Sequence, residues 1–126
     1  MDYFSYWDDV IRQQAERLPR WFAEDAEIQW PCTNERFTAG SFIRASCAYP
    51  GAWNGRVEKL AAIPGGAVTV VRVWSETENR AFHVTSFFEV ADGKIASLTE
   101  YWADDGSAPA WRQEMRLSRP CDAARK

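Results

Sequence analysis

The chain has one histidine, His83, and three cysteines, Cys32, Cys47 and Cys121, among 126 residues. A lone histidine and three widely separated thiols offer neither the ligand spacing of a zinc site nor an even-numbered disulfide framework, so no metal is expected and the thiols are read as reduced. Long hydrophobic runs are missing too: nothing approaches the ~18 apolar residues of a membrane span. Met1-Asp2-Tyr3 does not lead a basic segment into an apolar one as a secretory signal would. A cytoplasmic protein without a membrane partner is expected. A basic surplus is also lacking. The formal net charge of −3, with acidic and basic residues interspersed, leaves no broad basic face for a phosphate backbone, so nucleic acid is not an expected partner. No repeat, low-complexity stretch or linker interrupts the chain. A single domain over residues 1–126 is therefore expected, with its core over about 2–105 and a C-terminal extension over 106–126.

Aromatic residues are plentiful instead. Seven Trp, seven Phe and four Tyr make up 14% of the chain, which suits either a core of large side chains or a cavity lined by rings. From Tyr3 to about Arg17, Phe4, Trp7, Ile11, Ala15 and Leu18 recur at steps of three and four, which predicts a helix with one buried face. Pro19 opens a short second helix through Trp21 and Phe22. Residues 25–30 alternate and read as a strand stopped by Pro31, and residues 31–38 read as a polar loop. Thr38 is placed to cap a helix over about 39–47 that turns Phe42, Ile43 and Ser46 inward. Turn signals at 52–55, Pro64-Gly65-Gly66, Glu78-Asn79 and Asp92-Gly93-Lys94 then divide the chain into strands near 56–63, 67–76, 80–90 and 94–102. Such short connections make these strands antiparallel. A possible short helix follows around Pro109 and Trp111, and fraying is expected from about Ser118. Helices first and a long meander afterwards is an α+β pattern, a curved antiparallel sheet wrapped around N-terminal helices and enclosing a pocket.

The apolar strand rows carry single polar interruptions. Alternation groups Val68, Val70, Arg72 and Trp74 on one strand, Phe82, Val84, Ser86 and Phe88 on the next, and Ala96, Leu98, Glu100 and Trp102 on the last. Counting outward from turns centred near Glu78 and Asp92 sets Arg72 and Glu100 on either side of Val84, about 9.6 Å apart at two strand spacings. The same count puts Trp74, Phe82 and Trp102 in one layer. Opposite charges on one inner face are expected to pair, because an unpaired charge in a low-dielectric site costs roughly 3–5 kcal/mol. Two roles stay open for such a pair: a buried salt bridge that fixes strand register, or a general base, Glu100, oriented by Arg72. Trp7 and Trp30 are further candidates for the pocket wall, with Asn34 and Trp53 able to reach its mouth. His83 falls on the opposite face with Thr85, Phe87 and Glu89, towards solvent or a partner subunit.

The run from Phe87 to Ile95, Phe87-Phe88-Glu89-Val90-Ala91-Asp92-Gly93-Lys94-Ile95, followed by Glu100-Tyr101-Trp102, resembles the closing hairpin of the nuclear transport factor 2-like superfamily, especially its SnoaL-like branch. Residues 21–28, Trp21 to Ile28, are similar to that superfamily's passage from second helix to first strand. The resemblance implies a cone fold with a deep apolar pocket and frequent homodimers. It also shows departures. Trp30-Pro31, Trp7 and Ser86 stand where ketosteroid isomerases carry an aspartate base, an oxyanion-donating tyrosine and a protonated aspartate, so steroid isomerisation by that mechanism is not implied. Arg72 and Glu100 match an arginine and one acid of the epoxide hydrolases, but Trp74 occupies the place of the second acid. Scytalone dehydratases use more than one pocket histidine, and this chain has only His83.

The sequence thus predicts a binder of a small apolar or aromatic metabolite, acting without a cofactor. Glu100 and Arg72 are its candidate catalytic residues, and Trp7, Trp30, Trp74, Phe82, Val84, Ser86 and Trp102 its candidate ligand-binding residues. The alternative is a non-catalytic ligand-binding or dimerisation module. Either version is compatible with a homodimer formed through the sheet face around His83, Thr85 and Phe87.

Overall fold

Asp2 starts the first helix: its carboxylate accepts from the Ser5 backbone N–H at 3.1 Å, satisfying one of the free donors of helix α1 (Tyr3–Ile11). A computed structural model, which describes residues 1–122, 124 and 125, shows that α1 is shorter than its apolar spacing predicts. Gln13 adopts a left-handed conformation (φ 54°) and ends the helical path, and of the expected buried face Trp7 and Leu18 are buried while Phe4 is 62% exposed and Ala15 is exposed as well. The Gln13 side chain then donates to the backbone carbonyls of Ser46 at 3.0 Å and Tyr49 at 2.8 Å. This bond set holds α1 against helix α2 (Ala39–Ala48) and satisfies carbonyls that the end of α2 leaves free. Thr38 caps α2 as expected, in a reciprocal capping box with Ser41.

The six strands are β1 (Phe22–Trp30), β2 (Glu35–Thr38), β3 (Asn54–Ile63), β4 (Gly66–Ser75), β5 (Arg80–Ala91) and β6 (Lys94–Asp104). They form one curved sheet in the order β2-β1-β6-β5-β4-β3. The fold is α+β, and the meander β3 to β6 is antiparallel. Two features differ from the sequence reading. The expected second helix is a single 3-10 turn, Leu18–Trp21, after which the strand begins at Phe22. The expected polar loop contains β2, an edge strand antiparallel to β1, while β1 runs parallel to β6. A short helix, α3 (Ala110–Met115), follows the sheet, with no further regular element among the described residues. Of the stretch expected to fray from Ser118, residues 123 and 126 lie outside the described residues.

Strand register decides which side chains face the helices. The β4–β5 connection pairs Ser75 with Arg80, leaving four loop residues, Glu76 to Asn79. A count centred on Glu78 is therefore one residue out, and in a strand that slip reverses the face of every side chain. Ala67, Thr69, Val71, Val73 and Ser75 are the buried row of β4, not Val68, Val70, Arg72 and Trp74. In β6 two one-residue offsets add to a shift of two, which restores the face. The Asp92-Gly93 turn pairs Ala91 with Lys94, and both loop residues have positive φ (52° and 76°), the geometry that Asp-Gly favours in tight hairpins. A bulge then lets Ile95 and Ser97 pair with the neighbours Val90 and Glu89, which leaves Ala96 over. Glu100 keeps its inward direction but sits opposite Ser86, and Trp102 sits opposite Val84.

The core lies between α1, α2 and the concave sheet face. Tyr6 and Trp7 pack edge-on against Phe88, with ring centroids 5.5 and 6.5 Å away. Asp9, buried on α1, accepts from Trp21 Nε1 at 2.8 Å and Arg17 Nε at 3.0 Å, tying the helix to the 3-10 turn. Burial raises the Asp9 pKa, but these two donors, with the nearby positive charges of Arg17 and Arg20, bring it below its ordinary value.

Candidate functional site

Three neighbouring strands each place one polar side chain in the same inward layer: Thr69 on β4, Ser86 on β5 and Glu100 on β6. All are fully or nearly fully buried, so each needs a partner. Trp7 Nε1 donates to Thr69 Oγ1 at 3.0 Å. Ser86 Oγ donates to Glu100 Oε2 at 2.6 Å, and Trp30 Nε1 donates to Glu100 Oε1 at 3.0 Å. The two indoles come from α1 and the end of β1, so the polar layer is stitched to both walls of the cone. Glu100 is 1% exposed. Burial pushes its pKa above the ordinary value, and the hydrogen bonds from Ser86 and Trp30 offset only part of that rise.

Above this floor lies a cavity of about 410 Å³, lined by Trp7, Trp30, Phe82, Glu100 and Trp102 together with Phe42, Tyr49, Trp53, Asp104 and others. Its rings form an unbroken chain of contacts. Phe42 meets Trp30 at 6.0 Å, Trp30 meets Trp102 at 6.3 Å, Trp102 meets Phe82 at 6.1 Å and Phe82 meets Trp53 at 5.5 Å between centroids. Tyr49 closes the row against Trp53 at 5.5 Å. Two buried polar atoms, Tyr6 Oη and Trp102 Nε1, have no hydrogen-bond partner among the described residues. Burial and the charge of Glu100 push the Tyr6 hydroxyl well above its ordinary pKa, which keeps it protonated as a donor.

Not every candidate residue reaches the cavity. Val84 and Ser86 lie in the buried row of β5 beneath it, where Ser86 donates to Glu100. Arg72 and Trp74 do not line it, because the one-residue slip in β4 turns both to the outer sheet face. The expected Arg72–Glu100 pair is therefore absent. Arg72 Nε instead meets Asp105 Oδ2 at 2.9 Å, and its guanidinium lies 5.2 Å from the Trp74 ring centroid. His83 joins the same outer cluster: its Nδ1 meets Asp105 and its Nε2 meets Glu58 at 3.0 Å. Asp105 consequently has a pKa below its ordinary value, since Arg72 and His83 outweigh the effect of burial.

Several lining residues escape the sequence reading. Tyr49 flanks Pro50-Gly51 and reads as a helix stop, yet its ring closes the cavity wall. Asp104 had a usable signal, since the alternation Leu98, Glu100, Trp102 simply continues to it. Gln13 had none, because its place at the cavity follows from the left-handed turn after α1.

No protein-family model matches the chain, and no curated protein matches it. Solved structures do. A candidate ketosteroid isomerase from Kribbella flavida is 27% identical, with a TM-score of 0.75 over 94% of this chain and 85% of that one. An NTF-2 like protein of unknown function from Burkholderia xenovorans superposes with a TM-score of 0.76 at 18% identity, covering 95% of this chain and 92% of that one. A candidate SnoaL-like polyketide cyclase from Shewanella putrefaciens matches with a TM-score of 0.64 at 13% identity, covering 78% of this chain and 75% of that one.

Proposed function

We propose, given that the chain belongs by its fold to the nuclear transport factor 2-like superfamily with SnoaL-like proteins among its structural neighbours, that it binds a small apolar or aromatic metabolite in this cavity. Glu100 then performs acid–base chemistry on the ligand without a cofactor, in a reaction of isomerase, cyclase or hydrolase type. One observation carries the reading: a carboxylate 1% exposed, at the floor of a cavity of about 410 Å³, is held by two neutral donors on residues from other strands. The volume falls within the roughly 300–1,000 Å³ of small-molecule sites. A pKa raised by burial moves Glu100 towards neutrality, where a carboxyl group can both take and return a proton. Trp30 and Ser86 act as its positioning residues, the role first assigned to Arg72.

A non-catalytic module is the second reading, and the outer sheet face favours it: Phe87 and Tyr101 stand 43% and 45% exposed there, 6.2 Å apart between ring centroids. Exposed rings on a sheet face suit a homodimer contact. Turnover separates the two readings. A thermal-shift screen with steroids, polyketide fragments and terpenoids finds a ligand, and Glu100→Gln is then compared with the wild type on it. The catalytic reading expects the variant to keep its fold and lose turnover by about 10²–10⁴-fold. A variant with undiminished turnover removes Glu100 from the chemistry, and a ligand bound by the wild type without conversion supports the binding module.

A further inference from the structure

We infer that the ligand of this cavity carries a positively charged nitrogen on its apolar body. The inference rests on reading the cavity as a ligand site and adds the charge of what enters it.

The charged side chains that line the cavity are all acidic: Glu35, Asp104 and, at the floor, Glu100. No lysine, arginine or histidine lines it among the described residues. Burial of a carboxylate ordinarily demands a compensating cation, and elsewhere the protein supplies one. Asp9 lies 3.0 Å from Arg17 and 3.7 Å from Arg20. Asp105 lies 2.9 Å from Arg72 and also meets His83. Glu100 is more buried than the side chains of either, yet its partners are a hydroxyl and an indole N–H, both neutral. Arg72 is committed to the opposite face of the sheet, so when Glu100 is ionised rather than protonated its countercharge has to arrive from the cavity side.

The wall suits such a ligand. Trp30, Trp102, Phe82, Trp53 and Tyr49 present linked aromatic surfaces, and ring faces attract cations through their quadrupoles, tryptophan most strongly. The solvent side of this wall already holds a cation: the Arg80 guanidinium sits 4.8 Å from the Phe82 centroid and 5.8 Å from that of Tyr49. Arg80 does not line the cavity, and it donates to Tyr49 Oη at 2.6 Å and lies 3.9 Å from Asp104. Arg80 offsets part of the Asp104 charge from outside, and with Glu35 and Glu100 the lining itself still carries only acidic charge, which favours entry of a cation over an anion. A protonated or quaternary amine with an aromatic or alicyclic body meets all three requirements. A neutral alcohol of the same shape meets only the apolar one, and a carboxylate is repelled by Glu100.

Calorimetric titration of the wild-type protein with 2-naphthylmethylamine, 2-naphthylmethanol and 2-naphthoate tests the inference. The amine is expected to bind at least about ten-fold tighter than the alcohol, with the carboxylate weakest. Glu100→Gln is expected to remove most of that preference. Should the variant not fold, the wild type alone serves: lowering the pH until Glu100 is protonated must shrink the amine-to-alcohol ratio. Alcohol binding as tightly as the amine overturns the charge assignment and leaves the cavity a ligand site. If none of the three binds, the reading of the cavity falls as well.

Discussion

At the scale of single residues, the protein contains buried and part-buried carboxylates of opposite electrostatic character. Asp9 and Asp105 have pKa values below the ordinary one, so the ionised forms stabilise the fold. Their contribution is complete above the unfolded-state value of about 3.9 and is lost as pH falls through the lower folded-state values. Asp105→Asn, which loses its charged partnership with Arg72 and His83, is expected to unfold about 1–3 kcal/mol more easily at pH 7, with the gap closing in acid. A gap of constant size in chemical denaturation at pH 7 and pH 3 would contradict this. Glu100 has the reverse sign. Its folded-state pKa is raised, so its contribution is complete below the unfolded-state value and declines as pH rises through the folded-state one. Glu100→Gln keeps both hydrogen bonds, since its carbonyl accepts from Trp30 and its amide donates to the Ser86 hydroxyl. The variant is therefore expected to gain in melting temperature relative to wild type as pH rises from 4 to 8. A gain that shrinks over that range would show that the carboxylate is not penalised by its surroundings.

At the scale of elements, register separates what could be read from the sequence from what could not. Thr38 as a cap and Asp92-Gly93 as a turn were legible, because local hydrogen bonding and positive φ fix residue types at those places. Alternation also identified the inward row of β5 and, because two one-residue offsets add to a shift of two, Leu98, Glu100 and Trp102 of β6; at the bulge Ile95 is buried in place of the expected Ala96. It failed in β4, where both rows are largely apolar and only loop length sets the phase: Val68 and Val70 resemble Val71 and Val73 in everything but direction. That single ambiguity carried Arg72 and Trp74 into the expected site. Strand β2 was invisible because its residues, Glu35-Arg36-Phe37-Thr38, are mostly polar, as suits an exposed edge. The observed β4–β5 register makes a prediction at Gly66, where an added Cβ would lie 1.7 Å from the Phe88 carbonyl oxygen. Gly66→Ala is expected to lose about 1–3 kcal/mol in urea unfolding. Wild-type stability in that variant would mean that Gly66, paired with Glu89, does not lie against the Phe88 carbonyl as this register places it.

At the scale of the whole molecule, the curved sheet separates two chemistries. Its concave side holds the neutral-donor cradle of Glu100 under an aromatic wall, and its outer side holds the ionic cluster of Glu58, His83, Asp105 and Arg72 beside exposed Phe87 and Tyr101. If the outer face joins two copies, Phe87→Glu places a charge in the contact and is expected to shift sedimentation from dimer to monomer without changing ligand affinity; a wild-type protein that sediments as a monomer at high concentration excludes this arrangement. The inner face bears the central claim, that an uncompensated carboxyl group meets the ligand. Carbon-13 NMR of the Glu100 carboxyl group through a pH titration, without and with 2-naphthylmethylamine, tests it most directly. The account predicts a midpoint above the ordinary glutamate range that moves downward when the amine fills the cavity. A midpoint at or below the ordinary value, unmoved by the amine, would contradict it.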